Sequence, residues 1–205
     1  SVGLASYLAS SLAAKHGYAY FPFIPGLFFA AAGLLITAFL IKDTTHFVHA
    51  ESLTSKTALL KNVWKETSWQ HKNIGSVTLN GIVNNMNDAV VWGLLPVLLL
   101  QRDFNIKEIG IIAGIYPVVW GITQLFTGKM GDIYCKKQII TIGMLMQSLA
   151  IVLLAVSAQF WLLVTASVLL GLGTAMVYPN FMTGVAENTH PSQRAESVSI
   201  FRFWR

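Results

Sequence analysis

The sequence has 205 residues, of which 54% are hydrophobic and only 11% are charged. Soluble globular domains carry about 25% charged residues, so this composition excludes an ordinary water-soluble domain. The net charge is +5, but the basic residues avoid the long apolar blocks and gather in connectors. This distribution reflects membrane topology and excludes a nucleic-acid-binding face as the reason for the positive charge.

The first apolar segments indicate a chain that crosses a membrane. A helix needs about 20 apolar residues to cross the bilayer core. Residues 21–41 meet this requirement, and Pro22 and Pro25 near their start suit the first turn of a helix. Residues 1–14 are similar to the second half of an earlier span. We therefore expect the sequence to be a fragment that begins within a membrane bundle.

Residues 42–73 form the longest connector and are predicted to link two membrane bundles. Within this connector, Leu53, Leu60 and Trp64 fall at helical spacing. This pattern indicates either a short helix that lies on the inner membrane surface or a solvated linker helix.

The remainder of the chain is predicted to contain four complete spans and the start of another. One uncharged stretch, residues 138–186, is too long for a single span and divides into two near Ser157. The complete spans are residues 76–100, 109–127, 138–156 and 161–182, and residues 199–205 begin the next.

The distribution of Lys and Arg predicts which connectors lie in the cytoplasm. One alternate set of connectors carries eleven of these residues, including Lys61, Lys136 and Arg205. The other set carries three, including Arg102. Because short basic loops stay in the cytoplasm, the first set is assigned to that side, and the chain is predicted to be an all-α membrane protein.

A lone acidic residue, Asp88, lies near the middle of its span. A carboxylate at the bilayer centre costs about 2.5 to 3.5 kcal/mol on insertion scales, so it marks a functional candidate by default. Asn80, Asn84 and Asn87 share a helix face with Asp88, and Trp92 extends that face by one turn. This stripe indicates either a site for a solute and a proton, with Asp88 titrating, or asparagines that join neighbouring helices.

The next span carries a second candidate face. Tyr116, Trp120 and Gln124 recur at every fourth residue, and a proline and a glycine beside them favour a bend in the helix. The aromatic residues are expected either to line a cavity and stack on a solute or to pack in the core. Tyr178, in the last complete span, has the same two interpretations.

The connector between the 109–127 and 138–156 spans is the most specific local signal. It resembles the G-x-x-x-D-[RK]-x-G-[RK]-[RK] loop of the major facilitator superfamily. The positions that match are Gly128, Asp132, Lys136 and Lys137. Ile133 and Cys135 depart from this pattern, because they replace a basic residue and a glycine. The resemblance implies that the four matching residues form a cytoplasmic gating loop.

This resemblance covers essentially the whole chain and is closest to bacterial and archaeal efflux members of the family. It implies the second half of a twelve-helix fold: the tail of helix five, helices six to ten and the start of helix eleven. Residues 1–41 would then end the N-terminal bundle, residues 42–73 would be the central linker, and residues 74–205 would belong to the C-terminal bundle. The fragment would lack the rest of the N-terminal bundle, which is its expected partner.

The function implied by the resemblance is secondary active transport of a small solute, with proton-coupled export by alternating access across a prokaryotic plasma membrane. No cofactor, metal or nucleic acid is expected. A channel would be expected to show a selectivity loop or a repeated ring of pore-lining residues, and the sequence shows neither. An intramembrane enzyme would need paired ionisable residues within the spans, where the sequence places only Asp88. The alternatives that remain are a channel or another membrane protein that does not transport, and a truncated, inactive fragment.

Overall fold

The computed structural model describes residues 23–40 and 45–205, and the predicted tail of helix five lies outside these residues. By contacts the chain forms two compact units, Ser1–Phe47 and Val48–Arg205. All regular structure in the described part is helical. The helices are α1 (Ile24–Leu40), α2 (Thr45–Thr54), α3 (Val63–Lys65, continued by a π-helical turn at Glu66–Gln70), α4 (Lys72–Gln101), α5 (Ile106–Ile133), α6 (Lys136–Val156), α7 (Phe160–Glu187) and α8 (Arg194–Trp204).

Helices α4 to α7 confirm the four complete spans that the sequence predicts, because each is long and apolar enough to cross a membrane. Among the described residues, α1 and α2 add a fifth candidate if they are counted as one broken span. The 17 residues of α1 fall within the predicted 21–41 span, and Pro25 occupies its first turn. These helices establish an all-α membrane fold.

Helix α4 changes its hydrogen-bonding pattern just beyond Asp88. It is α-helical over Lys72–Ala89, π-helical over Val90–Leu94 and α-helical again over Leu95–Gln101. The Leu95 amide bonds the carbonyl of Val90, five residues earlier. Pro96 follows in the sequence and has no amide hydrogen, which favours a local departure from the α-helical ladder. Single π-helical turns occur frequently at functional sites.

Helix α7 lies at the centre of the described bundle and packs against α4, α5, α6 and α8. Small residues on α7 allow its backbone to approach its neighbours closely. A Cβ atom added to Gly173 would lie 2.7 Å from the carbonyl oxygen of Gly143 on α6. Membrane helices associate through this kind of close packing, because lipid is as apolar as the side chains and leaves little hydrophobic driving force.

We expect Gly173→Ala to destabilise the bundle by about 1–3 kcal/mol, because the new methyl group would collide with backbone that cannot rotate away. Gly121→Ala is the matched control, since a Cβ atom on Gly121 meets nothing within 4 Å. Alanine is also the better helix former, so the control should be neutral or stabilising. Thermal unfolding in detergent measures both variants, and equal melting temperatures would contradict the close contact between α6 and α7.

The predicted gating loop is shorter than the sequence indicates. Helix α5 continues past the predicted end of its span to Ile133, and α6 begins at Lys136. The last turns of α5 stay helical because Gly131 lies against the Asn180 side chain of α7 and keeps that end packed. Cys135 has φ −61° and ψ 115°, an ordinary extended conformation. Its replacement of the family glycine therefore introduces no backbone strain.

The predicted linker helix is wrong, because Leu53, Leu60 and Trp64 do not share a helix. Helix α2 ends at Thr54, residues 55–62 are not helical, and α3 begins at Val63. Leu60 is buried in the core, and its backbone makes two hydrogen bonds with the Gln193 side chain, of 2.8 and 3.0 Å. Burial of Leu60 against the bundle outweighs the helical spacing of the three residues.

A charged contact ties the linker to the beginning of α8. Arg194 donates two hydrogen bonds to the carboxylate of Glu51, at 2.9 and 3.2 Å. The hydrogen bond from Arg194 holds the pKa of Glu51 below its ordinary value. Because both side chains are exposed, the pair contributes little to stability and acts mainly to position the linker.

Helix α8 is fixed by aromatic packing along its length. Phe201 is fully buried, and its ring lies where a Cβ atom on Gly81 of α4 would be. Farther along, the indole Nε1 of Trp204 donates a hydrogen bond of 2.9 Å to the hydroxyl of Ser68. These contacts place the next residue, Arg205, against the interior of the bundle.

Candidate functional site

Asp88 lies in a buried polar contact between three helices. The hydroxyl of Tyr116 on α5 donates a hydrogen bond to Oδ1 of Asp88. Nη2 of Arg205, directly after α8, lies 3.7 Å from Oδ2. The side chains of Asp88 and Arg205 are only 18% and 15% exposed. The carboxylate therefore has both a hydrogen-bond donor and a positive charge as partners.

Arg205 corrects two expectations from the sequence. The charge count assigns it to a cytoplasmic connector, but the structure places it beside Asp88, inside the bundle. Its removal leaves ten basic residues against three, so the predicted orientation still follows from the count. The sequence analysis also predicts that Asp88 has no ionisable partner, and this prediction is wrong, because Arg205 lies beside it in the bundle. A buried carboxylate in a membrane protein needs a counter-ion, and that requirement was the available signal.

Aromatic rings surround this ion pair. The rings of Tyr116 and Trp120 stack at 17° with centroids 6.2 Å apart, and Trp120 meets Tyr178 edge-on at 6.1 Å. The guanidinium carbon of Arg205 lies 4.0 Å from the centroid of the Tyr178 ring. We call Asp88, Tyr116, Trp120, Tyr178 and Arg205 the central cluster. The carboxylate thus contacts one tyrosine hydroxyl group, the guanidinium lies over the face of another tyrosine, and Trp120 packs between the two tyrosine rings.

The central cluster contains buried donors that its own acceptors do not satisfy. Nε1 of Trp120 and the Nε and Nη2 atoms of Arg205 are buried and make no hydrogen bond within the described residues. Buried donors are nearly always paired in proteins, so these atoms are available to an acceptor other than the described residues. The cluster therefore offers donors and one carboxylate acceptor within a single region.

Two of the predicted cavity residues instead join helices. Nδ2 of Asn87 donates to Oε1 of Gln147 on α6 at 2.6 Å, and Nε2 of Gln147 donates to Oδ1 of Asn84 at 2.9 Å. These two hydrogen bonds favour the interpretation that Asn84 and Asn87 join neighbouring helices. Gln147, which the sequence analysis missed, is fully buried within an apolar stretch. Asn80 lies nearer the start of α4 and bonds the carbonyl of Ser76.

The remaining predicted cavity residues lie at the margin of the central cluster. The Trp92 ring, within the π-helical turn, meets Tyr116 edge-on with centroids 6.3 Å apart, and its side chain is 53% exposed. Gln124 lies one turn beyond Trp120 and is half-buried. Its side chain makes no hydrogen bond to any residue that the structure describes. Trp92 thus touches the cluster, whereas Gln124 extends its helix face.

The four residues of the predicted gating loop do not form one network. Lys136 makes an ion pair of 2.9 Å with Glu187 at the end of α7. Gly128 and Asp132 lie on the last turns of α5, where Asp132 is exposed and has no ion pair among the described residues. Lys137 is in the first turn of α6. Of these four residues, Lys136 is the one with an ion pair to α7 in the part of the chain that the structure describes.

Comparison with known sequences identifies the family that these features resemble. The sequence model of the Major Facilitator Superfamily matches residues 77–204. The match runs from the first turns of α4 to the last residue of α8 and includes every member of the central cluster except Arg205. No solved structure gives a significant match.

Several similar proteins carry resistance names. Fosmidomycin resistance protein of Escherichia coli (strain K12) is 24% identical over 129 residues, which cover 63% of this chain and 32% of that protein. Multidrug resistance protein D of the same strain is 29% identical over 103 residues, covering 49% and 25%. Quinolone resistance protein NorA of Staphylococcus aureus (strain MRSA252) is 29% identical over 106 residues, covering 52% and 27%. The chain spans about a quarter to a third of the length of these relatives.

Proposed function

Because this chain belongs to the Major Facilitator Superfamily, we propose that it forms part of a secondary active transporter that exports a small solute in exchange for protons. The observation that carries this proposal is the ion pair of Asp88 with Arg205 in the interior of an apolar bundle. Charged side chains in such surroundings are costly, and in membrane proteins they mark ion and substrate pathways.

The geometry of the pair supports an exchangeable site. At 3.7 Å, Nη2 of Arg205 is too far from Oδ2 of Asp88 for a good hydrogen bond. A solute donor group that binds Asp88 would compete both with Arg205 and with a proton for the same carboxylate. Competition between solute and proton for one group is the minimum requirement for antiport. Tyr116 would hold the carboxylate in place during this exchange through its hydrogen bond.

The other members of the central cluster support a solute of mixed chemistry. The unpaired donors of Trp120 and Arg205 suit acceptor groups on the solute, and Asp88 suits a donor or a cation. The faces of Trp120 and Tyr178 suit a flat or apolar body. We therefore propose a small, partly aromatic solute that carries both donors and acceptors.

Export across a plasma membrane is proposed from the relatives, whose names describe resistance to fosmidomycin, to multiple drugs and to quinolones. Removal of a drug from the cell is the simplest way for a transporter to confer resistance. Since the chain spans only part of these relatives, we propose that a second helical bundle completes the site. Alternating access would then expose the central cluster to one side of the membrane at a time.

The predicted orientation has its own test. We expect single cysteines that replace Lys61 or Lys136 to be protected from a membrane-impermeant maleimide in intact cells, and one that replaces Arg102 to react. This pattern is expected because short basic connectors stay in the cytoplasm, where the reagent cannot reach them. A background in which Cys135, the only cysteine, is replaced avoids labelling elsewhere. Labelling of positions 61 and 136 from outside would reverse the orientation.

Transport by the complete protein in proteoliposomes tests the proposed function. Fosmidomycin and a quinolone serve as trial solutes, because relatives are named for them. Accumulation that requires a pH gradient and disappears when the gradient is collapsed would support proton-coupled transport. Uptake at the rate of empty liposomes with both solutes, and with a wider panel of aromatic solutes, would contradict the proposal.

A further inference from the structure

A cavity of about 650 Å³ opens between the first turns of α4, the first turns of α6 and the last turns of α7. None of the central-cluster residues lines it. Along α6 the lining extends from Lys136 to Ser148, which at 1.5 Å per residue is about 18 Å. The cavity is therefore an elongated cleft that begins at the cytoplasmic ends of the helices, as the charge distribution orients them, and extends into the membrane.

The outer end of the cleft carries excess positive charge. Lys72, Lys136 and Lys137 line it, and Glu187 is the only acidic residue among the described residues of the lining. Glu187 is paired with Lys136 at 2.9 Å. Lys72 and Lys137 have no ion-pair partner among the residues that the structure describes. Two uncompensated ammonium groups from different helices thus lie at the entrance.

The beginning of α6 adds to this positive potential. Cys135 occupies the N-cap position, and its side chain makes no capping hydrogen bond. The first amide groups of a helix have no partners within the helix, and their dipoles favour a negative charge nearby. The entrance therefore combines two lysines with the uncapped end of a 21-residue helix.

Farther from the entrance, the cleft becomes compatible with a hydrocarbon chain. The hydroxyl groups of Ser76, Thr141 and Ser148 bond carbonyl groups of their own helices, at 2.8, 2.8 and 2.9 Å. These hydroxyl donors are therefore satisfied without a ligand. The side-chain amides of Asn80 and Asn180 also line the cleft, and each donates a hydrogen bond to a carbonyl group of its own helix, at 2.8 and 2.7 Å. The apolar side chains among the lining residues are Val77, Ile140, Met144, Leu145 and Phe181.

The cleft also opens sideways toward lipid. Leu145 lines the cavity and is 65% exposed, and Ile142 and Leu149 on the same helix are also exposed. Exposed apolar residues on a membrane-spanning helix indicate contact with lipid or with another helix. In the described part of the chain the cleft is therefore open on this apolar side, as a ligand that enters from the bilayer requires.

We propose that this cleft binds one anionic phospholipid of the cytoplasmic leaflet, with the phosphate near Lys72 and Lys137 and an acyl chain along α6. Basic pockets between membrane helices on the cytoplasmic side suit anionic head groups, and the cleft matches both ends of such a lipid. This assignment gives Lys137 of the predicted gating loop a role that does not depend on the transport proposal.

Native mass spectrometry of the complete, delipidated protein in detergent tests the site. Phosphatidylglycerol is the probe, and phosphatidylcholine with the same acyl chains is the comparison. We expect the variant Lys72→Gln/Lys137→Gln to bind phosphatidylglycerol about thirtyfold more weakly, since each basic residue near an anionic head group contributes about fivefold. The matched control, Lys61→Gln/Lys129→Gln, loses the same charge outside the cleft and should stay within about twofold of the wild type.

Two results would overturn the proposal. One is equal affinity of the wild-type protein for the two lipids, which is independent of how well any variant folds. The other is equal weakening in the cleft variant and the control variant. Inorganic phosphate separates the two possible sources of the ligand. If phosphate at millimolar concentration displaces phosphatidylglycerol completely, the cleft is a site for free phosphate, and the lipid assignment is wrong.

Discussion

Asp88→Asn in the complete protein should reduce pH-gradient-driven accumulation of solute to the level of empty liposomes, while downhill exchange remains measurable. Asparagine keeps the size of the side chain and can still accept a hydrogen bond from Tyr116, but it cannot gain or lose a proton. Solute binding would then no longer be linked to proton binding. Accumulation and exchange are measured in the same proteoliposomes, with and without the gradient.

Asp103→Asn is the matched control for this change. Asp103 is exposed in the turn before α5 and adopts φ 62°, a left-handed conformation that asparagine also tolerates. The control removes one carboxylate outside the spans and should accumulate solute like the wild type. If Asp88→Asn accumulates solute with the wild-type dependence on the gradient, Asp88 is a structural contact, and the proton is carried elsewhere.

Arg205→Gln should lower the free energy of unfolding by about 3 kcal/mol, because it leaves the Asp88 carboxylate buried without its positive partner. This value lies at the lower end for a broken buried pair, since the contact is 3.7 Å long and both side chains keep some exposure. Asp88→Asn should cost a similar amount, because it leaves the guanidinium of Arg205 unpaired. Chemical unfolding in detergent measures both variants.

The double variant Asp88→Asn/Arg205→Gln should regain most of the stability that each single variant loses, because it removes both charges together. It also separates folding from coupling, since we expect it to be folded and still unable to use the pH gradient. Additive losses in the double variant would show that the two side chains do not interact, and the ion pair would then not be the basis of the site.

The spans could be predicted because membrane burial is a constraint on each segment separately. An uncharged stretch such as residues 138–186 must cross the bilayer, whatever lies beside it, and the hairpin near Ser157 follows from its length alone. The boundaries were less predictable at the water-facing ends. Helix α5 extends to Ile133 because its last turn packs on α7, which hydropathy does not report.

Asp88 could be found from the sequence, but its partner could not. A charged residue in an apolar segment stands out alone, whereas Arg205 follows a short amphipathic segment and counts like any other connector residue. Only the packing of Phe201 and Trp204 shows that α8 carries Arg205 into the bundle. A counter-ion that comes from another helix can be identified only when the tertiary structure is known.

The asparagine stripe shows a similar limit. Helical periodicity placed Asn80, Asn84 and Asn87 on one face with Asp88, and it left open whether that face meets a cavity or another helix. The structure pairs Asn84 and Asn87 with Gln147, a residue that no pattern within its own span distinguishes. Periodicity identifies a face, but the partner of that face depends on how the helices pack.

The pH change inside proteoliposomes tests the central claim most directly. The complete protein is reconstituted with no imposed pH gradient, a trial solute is driven down its own gradient, and a pH indicator trapped inside reports proton movement. We expect the wild-type protein to move protons in the direction opposite to the solute, and Asp88→Asn to move solute with no change in internal pH. Proton movement at the wild-type ratio of protons to solute in Asp88→Asn would contradict the assignment of coupling to Asp88.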